Sequence, residues 1–158
     1  MFQPDKDGVI ARIAASPIRR VFAVATLIGL GALLVYVSFT SQTGFVARII
    51  VLGLGVVTLV YADLVRRATL CEIILTEDGV FDSLGRTLAR FDEMHSVQRG
   101  AFALKPSHGF SLVLKSKKSR VWAPGMWWRF GTRVGVGGVT PAGASKFMAE
   151  QIAFRLGV

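Results

Sequence analysis

Two long apolar runs interrupt an otherwise mixed pattern of apolar and polar residues. Val21 to Phe39 reads VFAVATLIGLGALLVYVSF without a charge, and Phe45 to Val65 reads FVARIIVLGLGVVTLVYADLV, with Arg48 near one end and Asp63 near the other. At about 1.5 Å per residue, helices of this length cross most of a roughly 30 Å hydrocarbon core. A central charge costs about 2.5–3.5 kcal/mol there, whereas terminal ones snorkel to the interface. Arg48 and Asp63 therefore read as boundary residues and not as an ion pathway, and Asp63 lies within a turn of Arg66 and Arg67. Only Thr40-Ser41-Gln42-Thr43-Gly44 separates the runs. That is room for a turn, so the helices form an antiparallel hairpin.

Each run carries Gly-Leu-Gly near its midpoint, Gly29-Leu30-Gly31 and Gly53-Leu54-Gly55, and Ala25 with Gly29 adds a small-xxx-small pair. In an antiparallel hairpin the two motifs share a depth. Small residues let helix backbones approach closely, which is the main packing energy where lipid removes the hydrophobic drive. Gly29, Gly31, Gly53 and Gly55 are expected to form the crossing point, with docking onto another membrane protein as their rival use.

Upstream, Val9, Ile10, Ile13 and Ala14 follow helical spacing around Arg12 until Pro17, a pattern compatible with a short helix on the membrane surface. Arg19-Arg20-Val21-Phe22 resembles the start of a twin-arginine export signal. No small-residue cleavage pattern follows Phe39, however, and a second span begins almost at once.

After Arg67 the pattern shortens to strands and turns. Leu70 to Thr76 reads as a strand closed by Glu77-Asp78-Gly79. Val80 to Asp82 and Arg86 to Phe91 read as a hairpin around Ser83-Leu84-Gly85. Phe110 to Lys115 alternates, Lys117-Lys118-Ser119 is expected to turn it into Arg120-Val121-Trp122, and a last strand spans Thr132 to Val136. Thr140 can cap a helix with Pro141 in its first turn. That helix runs to about Leu156, with Ala144, Met148, Ile152 and Leu156 as its apolar stripe and Phe147 and Phe154 widening it. The expected organisation is a cytoplasmic N-terminal segment over 1–20, a transmembrane hairpin over 21–65 and a cytoplasmic domain over 66–158. That domain is a small α+β unit, a β-barrel or curved sheet plugged by the C-terminal helix.

Charge sharpens this picture. Nineteen Lys and Arg against ten Asp and Glu give +9 over 158 residues. Fourteen of the cations and seven of the acids lie from Arg66 onward. Such a balance suits nucleic acid or an anionic membrane surface, and in a chain already tethered to a bilayer the second is expected. Arg19 and Arg20 precede the first span, Arg66 and Arg67 follow the second, and the turn is uncharged. The positive-inside rule then puts both termini in the cytoplasm.

Glu77-Asp78-Gly79-Val80-Phe81, then Gly85-Arg86 leading to Phe91-Asp92-Glu93-Met94 with Val97 after it, resembles the bacterial pleckstrin-homology-like domains. Arg133-Val134-Gly135-Val136-Gly137-Gly138-Val139 before a closing helix fits the same picture. The resemblance covers about residues 66–158, plus the hairpin by arrangement. It implies a bacterial inner-membrane protein and two roughly orthogonal sheets with a C-terminal helix. It implies no catalytic residue.

The candidate chemistry is thin. Gly135-Val136-Gly137-Gly138-Val139-Thr140 has Thr140 where a dinucleotide loop needs its third glycine, and no βαβ unit surrounds it. His95 and His108 have no second ligand at metal-site spacing, and Asp92, His95 and Ser96 lack a nucleophile elbow. Cys71 stands alone and reads as a small apolar strand residue. No catalytic, cofactor or metal residue is expected, and an enzyme is not. The distinctive stretch is Trp122 to Phe130, which holds all three tryptophans. One expectation places Trp122 and one of Trp127 and Trp128 in the core. The other makes Lys115, Lys117, Lys118, Arg120, Trp127, Trp128 and Arg129 an interaction surface. The functional expectation is a membrane-anchored accessory protein contacting a larger membrane-protein complex. The alternative is a binder of anionic lipid headgroups; nucleic acid is not an expected partner.

Overall fold

The computed structural model describes residues 8–99 and 109–157. It divides into two compact units, one of residues 17–67 and the other assembled from the segments on either side.

The first unit is two helices, α1 (Pro17–Thr40) and α2 (Phe45–Ala68). Both are long and apolar enough to cross a membrane, and only 11% of each apolar window is buried. The core helix of a soluble protein would be mostly buried. Of the four glycines, Gly31 and Gly55 form the crossing. A Cβ on Gly31 would lie 2.7 Å from Leu59 Cγ, and one on Gly55 would lie 3.0 Å from the Val35 backbone nitrogen and 3.1 Å from the Gly31 carbonyl. Gly29 and Gly53 face open space, so the second glycine of each motif alone makes the close approach. The polar groups are satisfied locally, as an apolar environment demands. The hydroxyls of Thr26 and Thr58 donate to the carbonyls of Phe22 and Leu54, and Ser38 donates to Val35 at 2.6 Å. Arg48 reaches back across the turn to the Ser41 carbonyl, and Asp63 pairs with Arg66 and Arg67 at 2.7 and 2.6 Å. Arg48 lies in the first turn of α2 and Asp63 near its C-terminal end.

Among its described residues the second unit holds seven strands, a 3-10 turn and a helix. One antiparallel sheet has the order β1 (Val9–Ile13), β2 (Ile73–Thr76), β3 (Gly79–Asp82), β4 (Thr87–Arg90), and a 3-10 turn follows at Phe91–Glu93. The other has the order β5 (Met94–Gln98), β6 (Phe110–Ala123), β7 (Trp127–Val136). Among the described residues the two sheets do not close into a barrel. Helix α3 (Ala142–Leu156) packs on β1, β5 and β6. Ile13, Ile73, Leu75, Val80, Leu88, Phe110, Leu112, Trp127, Val134, Met148 and Ile152 fill the interior.

Three expectations change. Residues 9–13 form a strand and not a surface helix: Ile13 lies opposite Ile73 and Arg12 opposite Ile74, with Ile10 and Ile13 buried. The sheet domain therefore begins before the first apolar helix, and the helical pair is inserted between two neighbouring strands. Next, Lys117-Lys118-Ser119 is not a turn. Strand β6 runs unbroken through it, and the true turn is Pro124 to Met126, where the Met126 amide donates to the Ala123 carbonyl. Finally, α3 starts at Ala142 with Pro141 as its cap residue. Thr140 is not the cap residue, and its hydroxyl accepts from Ser145 Oγ at 3.1 Å inside the protein. Its buried face is Ser145, Met148, Ala149, Ile152 and Ala153, while Phe154 is 72% exposed.

Candidate functional site

The tryptophan-bearing hairpin of β6 and β7 has an irregular register. Val113 pairs with Arg133 and Lys118 with Gly131, so five steps on β6 meet two on β7. The surplus residues bulge, and Gly131 adopts φ +59° on the facing strand. A second register shift follows between Lys118 and Val121, and the inward parity differs on the two sides of this irregular stretch. On β6 it is Phe110, Leu112 and Leu114 that face the core before the bulge, and Ala123 after it. On β7, Trp127 is inward at one end and Val134 and Val136 at the other.

This flip sorts the predicted surface residues into two groups. Trp127 is 1% exposed and belongs to the core, with the Arg86 guanidinium 5.4 Å from its ring centre. Trp122, expected inside, is 53% exposed. It pairs across the ladder with Trp128, whose ring is 5.3 Å from that of Phe130, and Arg120 stacks on Phe130 at 4.6 Å. Arg120, Trp122, Trp128 and Phe130 thus share the outward face of the hairpin. Trp128 is held in place by lying over Gly135, where an added Cβ would come within 2.4 Å of the indole. Lys115 and Lys117 are exposed at the bulge, and Lys115 donates to the Asp92 carbonyl at 2.7 Å.

Lys118 and Arg129 turn the other way, toward the seam between the sheets. Strands β4 and β7 approach there without forming a ladder. Arg129 bridges the gap: Nη1 donates to the Thr87 carbonyl at 2.7 Å and the Leu88 carbonyl at 3.3 Å, and Nε to the Ser119 carbonyl at 3.0 Å. Nη2 reaches Ser119 Oγ at 3.2 Å. A planar fork meets several fixed acceptors at once, which a lysine cannot do. Beside it Lys118 Nζ donates to Glu93 Oε1 at 2.5 Å. That hydrogen bond holds the Glu93 carboxyl below the usual carboxylate range, with desolvation opposing it and the Lys118 charge adding to it. Asp82, fully buried, accepts from the Leu84 and Arg86 amides and from Arg86 Nε, fixing the β3–β4 turn.

The expected surface omits Phe130 and the expected core includes Trp122, whereas the irregular ladder places both on the outward face. Cys71 is buried, as expected, but it precedes β2 and is not a strand residue. His95 is exposed on β5, and His108 lies outside the described residues. Among the described residues no group of three His, Cys, Asp or Glu is arranged to hold a metal. No protein-family model matches the chain, and neither curated proteins nor solved structures give a match to it.

Proposed function

We propose that this chain is a non-enzymatic, membrane-anchored binding protein. A two-helix anchor holds a pleckstrin-homology-like domain at the cytoplasmic face of a bacterial inner membrane, and the outward face of the β6–β7 hairpin docks on a protein partner. The observation that carries the reading is the division within that hairpin. Trp127 fills the core, whereas Trp122 and Phe130 stand in solvent with Arg120 stacked on the latter. Exposed contiguous aromatics mark interaction surfaces, and tryptophan and arginine dominate the binding energy of protein interfaces.

Two antiparallel sheets followed by a helix support the domain assignment, since the resemblance implies two sheets and a C-terminal helix. Chain connectivity supports the topology. Neighbouring strands β1 and β2 lie on either side of the helical pair in sequence, so an antiparallel pair must return the chain to the side it left. Arg19, Arg20, Arg66 and Arg67 flank its ends, which favours the cytoplasm for that side.

The exposed Lys115 and Lys117 favour a second reading, in which the same face rests on anionic headgroups, each cation contributing about 1 kcal/mol. Affinity capture of the full chain in mild detergent separates the two. A stoichiometric protein recovered with the natural chain and lost with Trp122→Ala plus Phe130→Ala supports docking; recovery of none with either counts against it. The lipid reading expects tryptophan emission to shift blue in anionic relative to zwitterionic nanodiscs, and expects Trp122→Ala to remove that shift. A reporter at Gly44 giving a cytoplasmic signal would overturn the topology.

A further inference from the structure

The seam bridged by Arg129 opens on a cleft of about 350 Å³ whose wall carries four cations, Arg86, Arg90, Lys118 and Arg129, and one acid, Glu93. Their charges are only partly answered. Arg86 pairs with Asp82 and Lys118 with Glu93. Arg129 donates only to neutral carbonyl and hydroxyl oxygens, so its hydrogen bonds are met while its charge is not. Arg90 is exposed at the cleft edge and forms no close ion pair among the described residues, although its charge and its backbone N–H both act on Glu93, less strongly than Lys118 does. Four cations less Asp82 and Glu93 leave two positive charges around one concave surface. Low-dielectric walls concentrate such a field.

We infer that this cleft binds a phosphomonoester. Its phosphate carries about −1.5 to −2 at neutral pH, which balances the excess, and its three terminal oxygens suit forked arginine donors. A carboxylate would answer half the charge. The volume exceeds that of phosphate alone, so a small body can enter with it, against the Val121 and Thr87 side of the wall. The site is separate from the proposed docking face. Val121 and Arg129 alternate with Arg120, Trp122, Trp128 and Phe130 along the two strands and point to the other side of the hairpin.

The phosphate can come from a soluble ester or from a lipid headgroup, and one experiment distinguishes them. The full chain in neutral phosphatidylcholine nanodiscs is titrated with inorganic phosphate at constant ionic strength and followed by exchange broadening of the phosphorus NMR signal. Saturable binding is expected. Arg90→Gln should weaken it by at least about tenfold, the worth of one charge-assisted hydrogen bond. Glu93→Gln should strengthen it by removing the acid from the wall. Arg120→Gln deletes the same charge on the outward face and should leave it unchanged. Absence of saturable binding overturns the inference, and so does an equal loss in Arg120→Gln and Arg90→Gln, which would mean general surface attraction. With the site established, nanodiscs containing phosphatidate, a lipid phosphomonoester, assign the source. Loss of soluble phosphate binding there points to the headgroup, and retention points to a soluble ester.

Discussion

Ile13 offers the sharpest test of the discontinuous domain. It is fully buried, lies opposite Ile73 in the β1–β2 ladder, and belongs to the same core cluster as Leu75 and Met148. Truncation of such a residue to alanine costs about 2–5 kcal/mol, combining lost transfer energy with an unfilled cavity. Deleting β1 is more severe. It removes Ile10 and Ile13, at about 1.5–3 kcal/mol of burial each, strips β2 of its partner and uncovers part of the face of Ile73 and Leu75. The loss approaches the entire stability of a small domain, about 5–15 kcal/mol. A fragment beginning at Ala68 is therefore expected to lack a cooperative urea transition. A chain joining residues 8–16 to residues 68–157 through about six Gly and Ser residues should unfold cooperatively, because Ile13 and Ile73 already lie side by side. In that joined chain Ile13→Ala should lower the urea midpoint by about 1–2 M, taking a slope of roughly 1–3 kcal/mol per molar. If the fragment without β1 melts with the same midpoint and slope as the joined chain, β1 is not part of the folding unit and the reasoning fails.

Other outcomes follow from single contacts. Gly55→Val should lower the thermal midpoint of the full chain in detergent by overpacking against Val35 and the Gly31 carbonyl, a cost of about 1–3 kcal/mol, whereas Gly53→Ala, facing open space, should leave it unchanged. Arg129→Ala frees the carbonyls of Thr87, Leu88 and Ser119 and should destabilise the joined domain by about 1–3 kcal/mol in urea melts. Arg129→Lys should recover little of that, since it lacks the fork. The Glu93 carboxyl, held below its ordinary value of 4.5 by Lys118, contributes stability that is full above 4.5 and lost as pH falls through the lower folded value. Acid titration followed by circular dichroism should show Lys118→Met removing that part of the acid sensitivity; an unchanged profile would mean the pair carries no linkage.

What this sequence determined by itself is what depends on neighbours within a few residues. The two apolar helices, the turn between them, the Asp82–Gly85 turn and the amphipathic closing helix follow from local composition and period. The contacts of Arg48 with Ser41 and of Asp63 with Arg66 and Arg67 are local in the same way, since the partners are close in sequence. Tertiary structure decided whatever depends on distant partners. Five residues around Ile10 have too short a pattern to separate helix from strand, and their partner β2 lies beyond the whole helical pair. Identical Gly-Leu-Gly motifs could not reveal which glycine meets the other helix, because that depends on rotation about the helix axis. The inside and outside of the tryptophan hairpin were hidden for a related reason. Side chains alternate with period two only while the ladder is regular, and the register shifts between Val113 and Lys118 and between Lys118 and Val121 change which residues face inward, leaving Trp122 outside. The basic seam was equally out of reach, because Arg90, Lys118 and Arg129 share one cleft only where the edges of two separate sheets come together.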